Sequence, residues 1–467
     1  MFLNLQNHSN LNQNALVDSY GKTLSYQELI DFSLSLKSFF KKRSLIFIIS
    51  NNETGCAALY YTCLANEIVP LIIGTEVSKE QFSNLKETYK PQYICYPERF
   101  KEKWEAPSGD FMESFLNINV CKTSFDNTSL NPELALLLST SGSTGSPKLV
   151  RHSYKNIEAN AKNVAEVFNM TSVHRPIAFL PLQYTMGLSV LTSHLFAGAT
   201  VYLTDLNLTD KKFWNYFESS RITNLTGVPF TFEILNKLRF FRKPNISLEI
   251  ISQGGGKLDE KLFETIAIYC KESNILFIPT YGQTEGTARM CFLPSKQTLS
   301  KICSIGKAIP GGKVYLVDEE NKIIDRPQES GELIYEGPNV TLGYAETMDD
   351  LARGNDFKEK LFTGDIAQMD EDGFLFIVGR KKRFLKLYGL RISLDVLENA
   401  IKNKFNTDVY CTGDDKKLKI IITKNNLKEK VRGYVLDFSQ LYHKSVEVIY
   451  MERIPRSKSG KIISSEL

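Results

Sequence analysis

Leu137-Leu138-Ser139-Thr140-Ser141-Gly142-Ser143-Thr144-Gly145-Ser146-Pro147-Lys148 is the stretch on which the reading of this chain turns. An apolar run feeds a loop of small hydroxyl residues and glycines that ends in a lysine. Glycine lets backbone N–H groups face an anion without obstruction by Cβ. The hydroxyls of Thr140, Ser141, Ser143 and Thr144 add donors, Gly142 and Gly145 add backbone freedom, and Lys148 adds charge. The loop therefore reads as a grip for polyphosphate. It is not a Walker A loop, because the residue five after Gly142 is Pro147, where that motif needs glycine. A Ser/Gly/Thr-rich loop alone is more often a flexible connection. The strand before it, the helix after it and the terminal lysine favour the phosphate reading.

Working outward, short apolar runs alternate with amphipathic helical patterns. Leu45–Ile49, Ile68–Ile73, Leu134–Leu138, Ile177–Leu182 and Ile275–Ile278 are each too short for a helix and are expected as buried strands. A helix is expected to begin after Ser153 as N-cap, with Ile157, Ala161, Val164 and Phe168 on one face. The fold class expected is thus α/β, a large N-terminal domain of layered subdomains. After about residue 300 short strand-like segments (Lys313–Val317, Gly331–Tyr335, Gly373–Val378) suggest a β-rich portion. The basic cluster Arg380-Lys381-Lys382-Arg383 follows. Beyond it lies a module with its own helix pattern (Leu394, Leu397, Ile401) and strand (Leu418–Ile422). The domains expected are 1–378 and a small α+β domain, 379–467.

Composition narrows the function classes. The 467 residues are 42% hydrophobic and 24% charged, with 57 basic against 53 acidic side chains and a net charge of +4. A near-neutral balance gives no support for nucleic acid or an anionic membrane as main partner. The 8 cysteines form no C-x-x-C pair and no zinc-spaced Cys/His cluster, as suits reduced thiols in a cytoplasmic protein. The first residues carry no secretory signal pattern. The apolar stretch Met186–Leu203 is interrupted by polar residues and is expected in the core rather than across a membrane.

Three further motifs carry chemistry. Tyr281-Gly282-Gln283-Thr284-Glu285 follows a strand-like run. A tyrosine can stack on a purine, and a hydroxyl and carboxylate beside it can hold a phosphate oxygen and Mg²⁺. Phe362-Thr363-Gly364-Asp365 with Gly379-Arg380 offers a carboxylate and a guanidinium for two ribose hydroxyls. Near the C-terminus, Ile454 to Lys461 puts a lysine on a glycine-containing loop, suited to charge developing at phosphorus. Singly, the first reads as readily as a surface turn, while the second and third read more readily as a surface ion pair and a solvated basic tail.

In order and spacing, the set resembles the adenylate-forming superfamily of acyl- and aryl-CoA synthetases, nonribosomal peptide synthetase adenylation domains and luciferases. Thr23–Leu29, Thr140–Lys148, Pro181–Gly187, Gly254–Leu258, Tyr281–Glu285, Phe362–Asp365, Gly379–Ile392 and Pro455–Lys461 carry the likeness across essentially the whole chain. The resemblance implies ATP and Mg²⁺ as cofactors, a small carboxylic acid as substrate, and CoA or a separate carrier protein as acyl acceptor. It implies that Thr140 to Gly145 and Lys148 hold phosphates, and that Gly255, Gly256, Tyr281 and Gly282 frame adenine. Asp365 and Arg380 would bind ribose. Thr284 would touch the AMP phosphate and Glu285 position the metal. Lys461 would serve adenylation, and Tyr184 and Gly187 would line the acyl pocket. Lys386 and Gly389 would serve the second half-reaction once a mobile C-terminal lid swings about a hinge near Lys382.

The chain departs from the family pattern in places. Leu149 follows Lys148 where glycine is usual, Lys382 stands where many members have Asp, and Tyr184 replaces a common histidine. Gln183 and Tyr184 supply no carboxylate for a substrate amine, which disfavours an α-amino acid. No carrier domain follows Lys461, so a carrier is expected on another chain. Two other readings stay open: transfer of the acyl group to an amine without a thioester, and a non-catalytic adenylate-binding module.

Overall fold

The computed structural model describes residues 2–126, 129–139, 148–243, 247–381, 383–387, 390–414, 417–439, 442–456 and 462–463. The phosphate-loop residues Thr140 to Gly145, together with Lys382, Gly389 and Lys461, lie outside them. The chain is a layered α/β protein that divides into two compact units. One comprises 1–313 with 336–361, the other 314–335 with 362–467.

The first unit is built on two large mixed sheets, the first of them mostly parallel. In one, the strands run in the order 307–308, 291–292, 276–281, 250–253, 224–227, 176–178, 201–203, 14–18, 23–25. In the other, the order is 343–345, 149–153, 134–139, 69–74, 45–50, 93–97, 118–122, 110–115. Strand Leu45–Ser50 shows why these runs lack alternation. Ile46 and Ile48 enter one core with Leu16 and Val201, while Leu45, Phe47 and Ile49 enter another with Phe82 and Trp104. Both faces are covered, so every position is apolar up to Ser50. Helix Thr54–Ala65 packs on strands of both sheets and is buried along residues 54–64, as its unbroken apolar character requires.

The expected strand at 177–182 closes early, at Ala178. The Asn52 amide donates to the carbonyls of Ala178 and Leu180, and the Tyr184 N–H turns back to Pro181. A side chain and a turn thus take the hydrogen bonds a ladder would use. The chain then enters helix Thr185–Phe196, buried over 187–195. No helix among the described residues is long and apolar enough to cross a membrane.

The second unit holds a five-stranded sheet, 323–324, 313–317, 330–336, 360–369, 375–380, and a terminal module. In the module, strands 409–413, 418–422 and 446–450 pack against helices Leu394–Phe405 and Lys428–Ser439 around Leu397, Ile401, Ile420, Val431 and Val448. The contact boundary falls elsewhere than at residue 379, because strand Leu375–Arg380 is paired into the five-stranded sheet and leads straight on into the module.

Helix Tyr154–Val167 begins as its sequence suggests. The Asn156 N–H donates to Ser153 Oγ at 3.1 Å, and the Ser153 N–H donates to Asn156 Oδ1 at 2.9 Å. Ser153→Ala should therefore cost about 1 kcal/mol. Scanning calorimetry should show a lower midpoint for the transition that melts this unit. An unchanged midpoint would mean the reciprocal cap contributes nothing.

Candidate functional site

The parallel strands 224–227, 250–253 and 276–281 end on one side of their sheet, at Gly227, Gln253 and Tyr281. Crevices outside the carboxyl ends of parallel strands are the common place for ligands in α/β sheets. Gly255 lies at φ +75°, a left-handed conformation that favours glycine, and the Gln253 amide pins the turn by donating to the Gly256 carbonyl at 2.7 Å. At Gly282 an added Cβ would stand 1.8 Å from the Ala288 carbonyl oxygen, so the chain can close on itself only with glycine there. Gln283 Nε2 donates to the Tyr281 hydroxyl at 3.4 Å.

Thr284–Gly286 forms a single tight helical turn, followed by Thr287 and Ala288 at φ +51° and +75°. Two asparagines hold this strained backbone, and a third holds the segment that carries one of them. Asn339 donates to the carbonyls of Gly286 (2.7 Å) and Arg289 (3.1 Å). Asn160 donates to Arg289 O at 2.9 Å, and Asn156 to the carbonyls of Pro338 and Val340 at 2.8 and 2.7 Å. Asn156 and Asn160 are one helical turn apart and so share a face. Thr185 Oγ1 donates to Thr284 Oγ1 at 3.0 Å.

The carboxylate of Glu285 accepts from the Tyr344 hydroxyl at 2.7 Å, and the Lys148 ammonium sits 3.8 Å from the Tyr344 ring centroid. Lys148 also lies 3.8 Å from the Glu346 carboxylate. Strand register explains the grouping. Leu149 pairs with Ala345 and Val150 with Tyr344, which places Lys148 opposite Glu346 and diagonal to Tyr344 on one face. Tyr344, Glu346, Thr185, Asn156, Asn160 and Asn339 were not singled out by the sequence reading. The nearest signal was a Gly-Tyr-Ala strand whose partner is some 190 residues away in the chain.

Among the described residues no three His, Cys, Asp or Glu side chains gather into a metal cluster. Glu285 offers a hard oxygen donor in the group that also holds Tyr344, Lys148 and Glu346. That suits Mg²⁺, which binds through one or two carboxylates and completes its shell with water and substrate phosphates.

Gly187 is buried with its Cα facing backbone, since an added Cβ would lie 2.4 and 2.5 Å from the Pro181 and Leu180 carbonyl oxygens. Tyr184 is half-buried at the head of the same helix, and the neighbouring Gln183 amide donates to the Glu76 carboxylate at 2.9 Å.

In the second unit, Asp365 and Arg380 stand opposite each other in antiparallel register. Arg380 Nε donates to the buried Asp365 carboxylate at 3.1 Å. Lys381 pairs with Glu332 at 2.6 Å. Arg383 instead holds Asp395 (2.8 Å), Glu398 (2.6 Å) and the Cys411 carbonyl. Burial pushes the Asp395 and Glu398 carboxyls above their ordinary range, against the pull of Arg383. Lys381 is thus anchored on the five-stranded sheet and Arg383 on the terminal module. Lys386 lies in strand Phe384–Leu387.

His152 lies beneath the 284–288 turn, its Nδ1 3.4 Å from Thr287 Oγ1 and its Nε2 without a partner among the described residues. Burial lowers its pKa from 6.5 to about 3. The folded ring stays neutral where the unfolded ring takes a proton, so its contribution is present above pH 6.5 and is lost as pH falls towards 3. The slope is at most about 1.4 kcal/mol per unit for this one group. The unfolding midpoint of His152→Gln should accordingly depend less on pH between 6.5 and 4 than that of the parent. Equal slopes would contradict a neutral buried imidazole.

Residues 4–345 match the family model described as AMP-binding enzyme. The 2-succinylbenzoate–CoA ligase of Listeria monocytogenes serovar 1/2a is 25% identical over 439 residues, 91% of this chain and 89% of that one. That of Oceanobacillus iheyensis is 23% identical over 472 residues, covering 96% and 94%. Among solved structures, O-succinylbenzoate coenzyme A synthetase from Bacillus subtilis in complex with AMP superposes with a TM-score of 0.79 at 20% identity, covering 100% of this chain and 97% of that one. ATP-bound MatB from Rhodopseudomonas palustris gives 0.78 at 19%, covering 100% and 98%. With nearly three quarters of its length matched by the family model, the chain belongs to the AMP-binding enzyme family, within the adenylate-forming superfamily.

Proposed function

We propose that this protein is an AMP-forming acid–thiol ligase. An oxygen of the substrate carboxylate attacks the α-phosphorus of ATP, the bond from phosphorus to the bridging oxygen breaks, and pyrophosphate leaves with that electron pair. The sulfur of a phosphopantetheine thiol then attacks the acyl carbonyl, the thiol proton passes to solvent, and AMP departs. The observation that carries the reading is the linked group of Glu285, Tyr344 and Lys148, in a chain of this family that also carries a glycine turn at Gly254–Gly256.

In this reading Glu285 holds Mg²⁺, which offsets charge on the departing phosphates. Lys148 and the 140–145 loop orient the triphosphate, and Thr284 faces the α-phosphate. Tyr281, Gly282, Gly255 and Gly256 frame adenine, and Asp365 with Arg380 receives the ribose. Lys461 offsets charge as the carboxylate attacks. Tyr184 and Gly187 shape the entrance to the acyl pocket, Gly187 by letting the helix start close. Residues 379–467 act as a lid hinged at Lys382, whose neighbours Lys381 and Arg383 pair with Glu332 of the five-stranded sheet and Glu398 of the terminal module. In its second setting the lid turns Lys386 and Gly389 towards the adenylate.

CoA is the favoured acceptor, since the named relatives are CoA ligases. A carrier protein presents the same thiol. The first acid to try is 2-succinylbenzoate, an aromatic dicarboxylate. The 8 reduced cysteines suit a cytoplasmic setting.

ATP–pyrophosphate exchange over a panel of aryl, fatty, dicarboxylic and amino acids should give exchange with at least one acid. Lys461→Ala should reduce that exchange by about 100-fold or more. Intact-mass analysis with CoA, and with apo and holo carrier proteins, then identifies the acceptor. Failure of every acid would contradict the ligase reading, and full exchange in Lys461→Ala would remove that lysine from the chemistry.

A further inference from the structure

We infer that Tyr344 is a positioning residue that couples the metal-binding carboxylate to the phosphate-binding ammonium. The inference rests on the ligase reading for the roles of Glu285 and Lys148, and on geometry for the coupling itself. One side chain touches both groups through different chemistry. Its hydroxyl donates to Glu285 at 2.7 Å, and its ring carries the Lys148 ammonium 3.8 Å from the centroid. A hydrogen bond to a metal-ligating carboxylate fixes which oxygen faces the ion, and losing such a partner commonly costs 10- to 100-fold in metal affinity. A cation over an aromatic face is held at a set height while its N–H donors stay available to phosphate.

The tyrosine itself is held in place. Its ring meets Phe357 edge-on at 5.4 Å, and its carbonyl accepts from the buried Arg151 Nε at 3.0 Å. Neither the ring nor the backbone can drift without disturbing packed neighbours. Glu285 and Lys148 are therefore both referred to one anchored phenol, Glu285 at its hydroxyl and Lys148 over its ring. Glu346, 3.8 Å from Lys148, adds a counter-charge that keeps the ammonium over the ring.

The two functions separate by substitution. Tyr344→Phe keeps the ring and loses the hydroxyl, whereas Tyr344→Leu loses both. Calorimetric titration of α,β-methylene-ATP without metal, then of Mg²⁺ into the complex, reads each contact apart from turnover. We expect Tyr344→Phe to bind the analogue as the parent does and Mg²⁺ about tenfold more weakly. We expect Tyr344→Leu to be weakened in both. Melting midpoints close to the parent's would exclude a general packing effect. Parental Mg²⁺ affinity in Tyr344→Phe would overturn the assignment, and so would equal loss of both affinities in the two variants. A parent enzyme that binds analogue and Mg²⁺ with this pattern, yet exchanges pyrophosphate with no acid, would leave the coupling standing and sink the ligase reading alone.

Discussion

A single buried guanidinium fixes the region where the candidate site is assembled. Arg151 is fully enclosed on strand Leu149–Ser153, just after the phosphate-loop lysine. It donates to the carbonyls of Leu342, Tyr344 and Arg353 and pairs with Asp356 at 2.5 Å. Burial lowers its pKa and Asp356 opposes that shift. An arginine's planar fork of donors can satisfy several carbonyls and one carboxylate together, which a lysine cannot do. The segment 342–356 is thereby stitched to a strand nearly 200 residues earlier. Everything carried on that segment, Tyr344 and Glu346 included, is delivered beside Lys148.

The turn that carries Thr284 and Glu285 is stabilised by the same logic. A backbone with two consecutive non-glycine residues at positive φ costs roughly 1–3 kcal/mol per residue and persists only where its surroundings over-determine it. Here the surroundings are amide side chains, which read backbone carbonyls without adding charge. Asn160 reaches across from a helix anchored by its Ser153 cap, Asn339 reaches back from the following segment, and Asn156 holds that segment at Val340. The site is a polar lattice fastened to rigid elements, which is the arrangement that catalytic positioning needs.

Much of this was legible in the sequence because it depends on local pattern. Unbroken apolar runs announced parallel strands covered on both faces, and Ser153 announced the helix start. Tyr281–Glu285 announced themselves as polar residues after a strand-like run, and Asp365 through the Phe-Thr-Gly-Asp motif that carries it. Tyr344 did not, because its meaning lies in register with a strand from the other end of the unit. Arg151 read as one more basic residue, since nothing local foretells burial among carbonyls. The strand expected to reach Leu182 stopped at Ala178 because Asn52, about 130 residues away, takes the ladder's carbonyls. Long-range side-chain-to-backbone bonds are the part of a fold that single-sequence patterning cannot register.

The central claim is that Lys148, Glu285 and Tyr344 define one place for a metal–triphosphate, next to a glycine turn for the purine. The most direct measurement is a crystal structure of the protein with α,β-methylene-ATP and Mg²⁺. The account predicts a metal about 2.0–2.1 Å from a Glu285 oxygen, a phosphate oxygen within hydrogen-bonding distance of Lys148, and adenine along Gly254–Gly256. Nucleotide bound elsewhere, or a metal with Glu285 still turned away, would contradict it.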